Sequence, residues 1–285
     1  MEHIIDSSYV DVRLDKFLRK KYPNTPLTEI FKGIRLGKVK VNGKKSKENY
    51  RLKLDDVVKT NFIEEIEESN FIKLTPEENF ILKKGIVYED DNVVIFNKIG
   101  DIVMHKGSGH EYGISEMFKS YYKNDEFNFV NRIDKATSGL VIGAKNLVTT
   151  REISQEIRDG NVEKKYYILV KGIVKEDKFK IKSYLKKIED RVIETEKQEP
   201  GSKESISYFK VMRRNSKTTL LEGTLGSGRT HQLRVQLANL GHPIVGDNKY
   251  GTGRENQMYL YSYYCKITKY NIEINIPVPE EFNRD

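Results

Sequence analysis

The chain is most informative at Asn131-Arg132-Ile133-Asp134-Lys135-Ala136-Thr137-Ser138-Gly139. Apolar residues alternate with polar ones before this segment, and the apolar run Leu140-Val141-Ile142 follows it. Both flanks are typical of buried strands, and a loop between two strands is where a fold displays functional groups. Asp134 is therefore a candidate catalytic residue. Local chemistry leaves a second role open, in which Asp134 is a turn residue and Thr137-Ser138-Gly139 satisfies backbone groups.

The segment resembles the Arg-(Leu/Ile)-Asp-x-x-Thr-Ser-Gly signature of the Rlu family of pseudouridine synthases, which isomerise uridines in ribosomal RNA. Further segments agree with that family in the same order and span roughly residues 11–250. They are Tyr88-Glu89-Asp90-Asp91 with residues 93–98, Lys164-Lys165-Tyr166 with residues 167–172, Gly228-Arg229-Thr230-His231-Gln232-Leu233-Arg234-Val235, and Gly241-His242-Pro243-Ile244 with Gly246-Asp247. The resemblance implies an α+β catalytic domain with a mainly antiparallel sheet and a central RNA-binding cleft.

The resemblance also implies roles for individual residues. Asp134 is the catalytic carboxylate, which can add to an electrophilic carbon or stabilise positive charge on the sugar. Arg229 is the cleft arginine expected to pair with Asp134 and to keep it ionised and oriented. Tyr166 is expected to stack on the uracil, with Leu233 on the other side of the base. The other expected substrate contacts are Arg132, Lys164 and Thr137.

The implied reaction moves the bond to ribose C1′ from N1 of uracil to C5. It has no redox step and transfers no external group, so we expect no cofactor, and the histidines show no zinc-like spacing. The route remains open between attack on C1′, attack on the base, and proton abstraction leading to a glycal. Three positions depart from the family pattern. Asn131 and Gln236 stand where His is common, and Ile99 stands where Pro is usual.

Composition favours a protein of the reducing cytoplasm. The 285 residues are long for one domain and predict two. Cys265 is the only cysteine, so no intrachain disulfide can form. We find no targeting segment and no apolar run of membrane-spanning length, so a cytoplasmic protein with no membrane contact is expected. A monomer is the expected oligomeric state.

The positive charge of the chain is concentrated near its start. Residues 11–60 contain fifteen Lys and Arg against six Asp and Glu, whereas the whole chain carries a formal charge of +8. Such a concentration is expected of a module that binds nucleic acid, although a solvated lysine-rich face has the same composition.

The pattern within this segment favours RNA binding. Leu14, Phe17 and Leu18, and then residues 27, 30, 31 and 34, have the spacing of two amphipathic helices. Thr25-Pro26 is expected to begin the second helix, and Gly37 to end it. Alternating Val and Lys then lead to Asn42-Gly43, a tight-turn signal. This order resembles the RNA-binding domain named after ribosomal protein S4. Its candidate phosphate contacts are Arg13, Lys32, Arg35, Lys38, Lys40 and Lys44.

The sign of the charge reverses after Asn61, where glutamates dominate up to Leu82. An acidic connector repels phosphate and is expected to act as a spacer. The sequence therefore predicts an RNA-binding domain at 1–62, an acidic linker at 63–82 and a catalytic domain at 83–285. Within the last domain we expect helices at 147–159 and 231–240.

Two alternatives belong to other functional classes. Residues 223–230 nearly fit the phosphate-binding pattern G-x-x-x-x-G-K-[ST], but Arg229 stands where Lys is required. A nucleotide hydrolase would bind ATP or GTP with magnesium, whereas we expect no nucleotide cofactor. A binding-only RNA chaperone would keep the basic segment without catalysis, against which the joint presence of Asp134, Tyr166 and Arg229 argues. The expected partner is RNA, most specifically that of the large ribosomal subunit (23S) or its precursor.

Overall fold

The computed structural model describes residues 1–22, 25–61, 71–107, 109–251, 253 and 255–283. These residues form two compact units, which consist mainly of residues 1–61 and 71–283. None of the helices in the described ranges is long and apolar enough to cross a membrane.

The first unit combines two helices with a small sheet. Its elements are β1 (Glu2–Ile4), α1 (Leu14–Lys21), α2 (Leu27–Leu36), β2 (Val39–Val41), β3 (Lys44–Lys45) and β4 (Val57–Thr60). The sheet has the order β1-β4-β2-β3, and the pairs between these strands are antiparallel. The predicted helix–helix–β arrangement is therefore confirmed.

Local signals in the sequence fix the ends of these elements. Gly37 ends α2 with φ 71°, a left-handed conformation that suits glycine. Asn42 and Gly43 both have positive φ, as the two-residue turn between β2 and β3 requires. Pro26 caps α2, so the helix begins one residue later than Thr25-Pro26 predicted. The apolar faces of both helices, including Phe17 and Ile30, are buried in one core.

The second unit is built on one large sheet. Its strands are β5 (Ile86–Glu89), β6 (Val93–Lys98), β7 (Asn128–Phe129), β8 (Ser138–Ala144), β9 (Val162–Lys171), β10 (Lys178–Ile188), β11 (Arg191–Thr195), β12 (Lys203–Arg214), β13 (Thr218–Leu225), β14 (Leu260–Ile267) and β15 (Ile272–Asn275). The main order is β11-β10-β12-β13-β9-β14-β8-β6-β5, with β15 beside β14 and β7 beside β8. Among the described strands only β8 and β14 pair in parallel. The predicted α+β class and mainly antiparallel sheet are confirmed.

Four helices pack on this sheet: α3 (Pro76–Gly85), α4 (Ile114–Tyr122), α5 (Leu147–Arg158) and α6 (Gln232–Asn239). The two helices α5 and α6 were predicted within about a residue of their observed ends, whereas α3 and α4 were not predicted. Phe118 of α4 packs with Phe96, Phe127 and Phe129 on one face of the sheet. Leu233 and Leu237 of α6 pack against Ile168 of β9 in a separate core.

The parallel pair β8–β14 explains the glycine of the central segment. Gly139 has φ 108°, and a Cβ on it would clash with the Ser262 backbone on β14. Any other residue would push apart the two strands that join the halves of the sheet. The loop carrying Asp134 ends at this junction.

The predicted linker is wrong over its second half. Residues 62–70, which hold its first half, lie outside the described residues. Residues 71–145, which hold the second half, belong to the second unit. Helix α3 begins there at a capping box between Thr75 and Glu78, and Leu82 is fully buried. The glutamates that suggested a spacer include Glu77 and Glu78 in the first turn of α3, where acidic residues are favourable.

Candidate active site

The loop that carries Asp134 is held at several points. Ile133 is buried in the same core as Phe129, on the strand before the loop. The Asn131 Oδ1 accepts a 2.7 Å hydrogen bond from the Ile142 nitrogen, which ties the loop to β8. The Thr137 nitrogen donates to the Asp134 carbonyl over 3.1 Å and closes a turn. Asp134 is thus both a turn residue and a half-buried carboxylate, so the two roles left open by the sequence are compatible.

A buried ammonium group supports the same loop. Lys98 is fully buried, and its Nζ donates to the carbonyl oxygens of Ile99, Ile102 and Lys135 over 2.9, 3.1 and 2.9 Å. These three acceptors use all three donors of the ammonium group. Burial lowers the pKa of Lys98 to about 8, although the charges of Asp101 and Asp134 oppose this shift. Lys98 therefore joins the end of β6 to the residue that follows Asp134.

The predicted catalytic and substrate-binding residues come together in one cavity of about 300 Å³. This size is at the lower end for small-ligand sites, about 300–1,000 Å³, and suits a single nucleotide base. Its walls are formed by the loop that carries Asp134, by the strands β9 and β13, and by the start of α6. Its lining includes Arg132, Asp134, Thr137, Lys164, Tyr166, Arg229 and Leu233.

The arginine paired with Asp134 is Arg234, so the predicted pairing with Arg229 is wrong. Nη1 of Arg234 donates to Oδ2 of Asp134 over 2.9 Å. Arg229 is exposed at the turn after β13, where its Nε donates to the Glu204 carbonyl over 3.1 Å. Only Arg234 belongs to α6, whose buried face is directed at the core beside the cavity.

Arg234 is held in turn by Asp247. Its Nε and Nη2 donate to the two Asp247 carboxylate oxygens over 2.8 and 2.9 Å, a bidentate pair. Burial would raise the pKa of Asp247, but hydrogen bonds and charge from Arg234 lower it below its usual value. The nitrogens of Lys249 and Tyr250 add hydrogen bonds to the same carboxylate. Asp247 therefore fixes the position of the guanidinium group that contacts Asp134.

Tyr166 lies beneath the cavity with little exposure to solvent. It shares a buried core with Leu233, and both residues line the cavity. Burial and the charge of Asp134 raise the pKa of Tyr166 to about 12, so its phenol is neutral at pH 7. Lys164 also lines the cavity, and burial lowers the pKa of its ammonium group.

Sequence reasoning missed four residues of this site: Arg234, Asp247, His231 and Tyr250. His231 lies beside Asp134, because its Nε2 is 3.8 Å from Oδ2 of Asp134. Tyr250 lies next to His231, with its hydroxyl 2.8 Å from Nδ1. One signal was available. Arg234 stands between Leu233 and Val235 in a helix, and a buried guanidinium requires a carboxylate partner.

The interpretation of residues 223–230 as a phosphate-binding loop is wrong. Gly223, the first glycine of the motif, lies within β13 and pairs with Phe209 and Tyr166 on the neighbouring strands. A phosphate-binding loop needs this residue in the loop, where its backbone N–H groups can surround the phosphates. The turn between β13 and α6 begins only after Leu225.

The six candidate phosphate contacts lie in the first unit. Five of them, at positions 32, 35, 38, 40 and 44, are exposed. Arg13 is half-buried, and both of its hydrogen bonds to Asp15 are 3.0 Å long. Lys32 lies 3.5 Å from Glu29 on the same helix face. Arg13 and Lys32 thus have acidic partners, which the six Asp and Glu counted in residues 11–60 already include.

The sequence model of a family described as RNA pseudouridylate synthase matches residues 92–239. This chain belongs to that family. The S4 domain model matches residues 12–58, so both parts of the predicted resemblance are confirmed. The matched segment of the synthase family contains Asp134, Tyr166, Arg229 and Arg234.

Named relatives of the synthase family extend the match over most of the chain. The chain is 33% identical to "Ribosomal large subunit pseudouridine synthase C" of Buchnera aphidicola, over 87% of this chain and 79% of the relative. It is 31% identical to the Vibrio vulnificus protein of the same name, over 98% and 93%.

Two solved structures show the same synthase fold. They are the human RNA pseudouridylate synthase domain-containing proteins 4 and 1, at TM-scores of 0.61 and 0.59. The first is 18% identical over 73% of this chain and 94% of its own, and the second 24% identical over 68% and 82%.

Proposed function

We propose that this chain isomerises specific uridines of large-subunit ribosomal RNA to pseudouridine, with Asp134 as the catalytic carboxylate. The observation that carries the proposal is that Asp134, Arg234 and Tyr166 meet in one cavity of a member of the RNA pseudouridylate synthase family. The names of the Buchnera and Vibrio relatives support large-subunit ribosomal RNA as the substrate.

The residues of the cavity suit each part of this reaction. The N1–C1′ bond breaks, the base turns, and C5 joins C1′; C5 then loses its hydrogen as a proton, and N1 takes up a proton. The Asp134 carboxylate, oriented by Arg234, acts on the ribose or the base. Because the pKa of Tyr166 is raised to about 12, this residue serves as a stacking surface and a neutral hydroxyl rather than as a phenolate. No step calls for a cofactor.

The target uridine has to leave its stack before it can enter the cavity. Flipping a base out of folded RNA costs on the order of a few kcal/mol. Arg132 and Arg229 are exposed at the rim, where they can hold phosphates or fill the vacated space. Thr137, Lys164 and Leu233 line the interior, where they are suited to contact the nucleoside.

The two units divide the work between binding and chemistry. We assign RNA anchoring to an S4-type domain at residues 1–62, through Arg13, Lys32, Arg35, Lys38, Lys40 and Lys44. The catalytic domain begins at residue 71 rather than 83, because the segment from Phe71 packs with it. We also assign the protein to the cytoplasm, acting as a monomer on ribosomal RNA or its precursor.

Replacement of Asp134 by Asn tests the function directly. A transcript of complete large-subunit ribosomal RNA, labelled with tritium at uridine C5, releases tritium to water when pseudouridine forms. Wild type should release tritium, and Asp134→Asn should not, while both bind the RNA equally, because Asn keeps the shape of Asp without its charge. Asp125→Asn, at an exposed turn position, is the matched control. Release by Asp134→Asn at the wild-type rate would refute the role of Asp134.

A further inference from the structure

Tyr250 contacts three separate elements around Asp134. Its hydroxyl oxygen lies 3.0 Å from the Val192 nitrogen on β11 and 2.8 Å from Nδ1 of His231, directly before α6. Its ring faces Arg234, whose guanidinium carbon is 5.3 Å from the ring centroid. Its own nitrogen donates to Asp247 over 3.1 Å. Tyr250 therefore contacts both His231 and Arg234, the two residues beside Asp134.

The hydrogen bonds of Tyr250 favour one of the two neutral forms of His231. A backbone N–H can only donate, so the Tyr250 oxygen accepts from Val192. The single hydroxyl proton is left for Nδ1 of His231, since the hydroxyl has no other acceptor among the described residues. Nδ1 is then an acceptor, and a neutral imidazole carries its proton on the other nitrogen, Nε2.

The protonated Nε2 is the nitrogen that faces Asp134. It lies 3.8 Å from Oδ2, longer than a hydrogen bond, but active-site contacts of this kind tighten when substrate binds. Burial lowers the pKa of His231. Arg234 and Lys249 act in the same direction, and the charges of Asp134 and Asp247 oppose them. The ring is therefore an uncharged donor at pH 7.

The Arg234 and His231 donors both face the same carboxylate oxygen of Asp134. Nη1 of Arg234 is 2.9 Å from Oδ2, and Nε2 of His231 faces Oδ2 as well. Oδ1 accepts no hydrogen bond from the described part of the chain. Two donors on one oxygen restrict rotation of the carboxylate and leave the other oxygen for the substrate.

We propose that His231 and Tyr250 are positioning residues for Asp134, with the Tyr250 hydroxyl fixing the His231 ring so that its Nε2–H is directed at the Asp134 carboxylate. The inference rests on the proposed function, because it assigns a supporting role around a proposed catalytic group. It extends that function to two residues that act through Asp134 without taking part in the chemistry.

The first test is Tyr250→Phe, which removes the hydroxyl and keeps the ring over Arg234. Single-turnover tritium release from the C5-labelled ribosomal RNA transcript should slow by about 10- to 100-fold, by analogy with loss of the hydrogen-bond partner that orients a metal-binding histidine. RNA affinity should stay the same. An unchanged rate in Tyr250→Phe would overturn the proposal.

Two variants of His231 distinguish the contribution of its Nε2–H donor from that of its backbone conformation. His231 has φ 54° and ψ 20°, a left-handed conformation that Asn tolerates better than Gln. Gln, however, places its Nε2 donor where that of His lies, whereas the shorter Asn reaches only the position of Nδ1. His231→Gln should therefore retain more activity than His231→Asn. The reverse order would show that the backbone conformation is what matters and would overturn the proposal.

Nitrogen NMR of the histidine-labelled full chain reads the tautomer without an activity assay. The His231 signals, assigned by their loss in His231→Asn, should show the Nε2–H form in wild type and a mixture in Tyr250→Phe. An Nδ1–H form in wild type would overturn the inference. Failure of the proposed function is distinguishable, because in that case wild type itself releases no tritium.

Discussion

Nη1 of Arg234 donates a 2.9 Å hydrogen bond to Asp134, a residue 100 positions earlier in the chain. The loop before β8 and the helix after β13 are thereby joined at the floor of the cavity. Because Arg234 is also held by both carboxylate oxygens of Asp247, its position does not depend on the RNA. Asp134 is therefore oriented before the substrate arrives, which is the condition for efficient electrostatic catalysis.

Substitution of Arg234 should reduce turnover far more than substitution of Arg229. Arg234→Lys keeps the charge but cannot reach Asp134 and Asp247 together, because an ammonium group lacks the planar fork of guanidinium. We expect single-turnover tritium release to fall roughly 100-fold, as for loss of a positioned active-site donor. Arg229→Lys is the matched control and should reduce RNA affinity more than turnover. Equal loss of turnover in the two variants would restore Arg229 as a partner of Asp134.

Asp247→Ala should destabilise the protein strongly, because it leaves the buried Arg234 without its main partner. Breaking a buried pair on one side typically costs about 3–5 kcal/mol. Arg234 lowers the pKa of Asp247 in the folded state, so this stabilisation is present above about pH 4 and is lost as pH falls further. Urea unfolding of wild type and Asp247→Ala at pH 7 and pH 3 measures both effects. A difference between the two proteins that does not shrink in acid would contradict the assignment.

Lys98 should give a pH dependence of the same sign, but in the alkaline range. Its folded-state pKa is about 8, below the unfolded value of about 10.4, so the unfolded chain binds more protons between these values. The stability of wild type relative to Lys98→Met should therefore rise by on the order of 2–3 kcal/mol from pH 8 to pH 10. Urea unfolding across this range measures it. Lys83→Met, at an exposed position, is the control, and a flat profile for Lys98 would reject the buried ammonium.

The general form of the active site could be predicted from sequence because its residues lie in short motifs with clear strand and turn signals. Which of Arg229 and Arg234 pairs with Asp134 could not be predicted from the sequence. Both stand in one eight-residue motif, and periodicity does not say which faces a carboxylate 100 positions away. That depends on where β13 ends and α6 begins. The structure ends β13 at Leu225 and begins α6 at Gln232, so that only Arg234 lies on the helix.

Two departures from the family pattern have structural explanations. Asn131 accepts a hydrogen bond from the Ile142 nitrogen and so holds the loop that carries Asp134 to β8. Gln236 is buried among three serines: its Oε1 accepts from Ser207 over 2.6 Å, and its Nε2 donates to Ser183 and Ser205 over 2.9 and 3.2 Å. In the sequence each residue is an exception to the family pattern. In the fold each residue has hydrogen-bond partners that explain its presence. Nothing in the structure explains Ile99, which is exposed.

The acidic segment shows the limit of charge as a guide to structure. Glu77 and Glu78 suggested a solvated spacer, yet they lie in the first turn of α3, where Glu78 forms the capping box and accepts from the Tyr112 hydroxyl over 2.7 Å. The apolar residues that anchor this helix, such as Leu82, are too few to give a periodic signal. Their burial depends on α4 and β6, which come later in the chain.

The last prediction concerns the basic face of the first unit. Replacing Arg35, Lys38, Lys40 and Lys44 by Gln should weaken binding to the ribosomal RNA transcript and reduce its salt dependence. For single-stranded RNA, each phosphate that the protein no longer neutralises lowers the slope of log affinity against log salt by about 0.7. At saturating RNA the variant should still release tritium, because the residues around Asp134 are unchanged.

The matched control for this face replaces four exposed lysines of the second unit, Lys83, Lys84, Lys187 and Lys197, by Gln. It removes the same charge, so it measures the general effect of a less basic protein. Filter-binding titrations at several salt concentrations compare both variants with wild type. If the control lowers affinity and slope as much as the variant of the first unit does, RNA affinity depends on net charge alone. The anchoring role of the S4-type domain is then rejected. If only the first variant does so, its four residues contact phosphate.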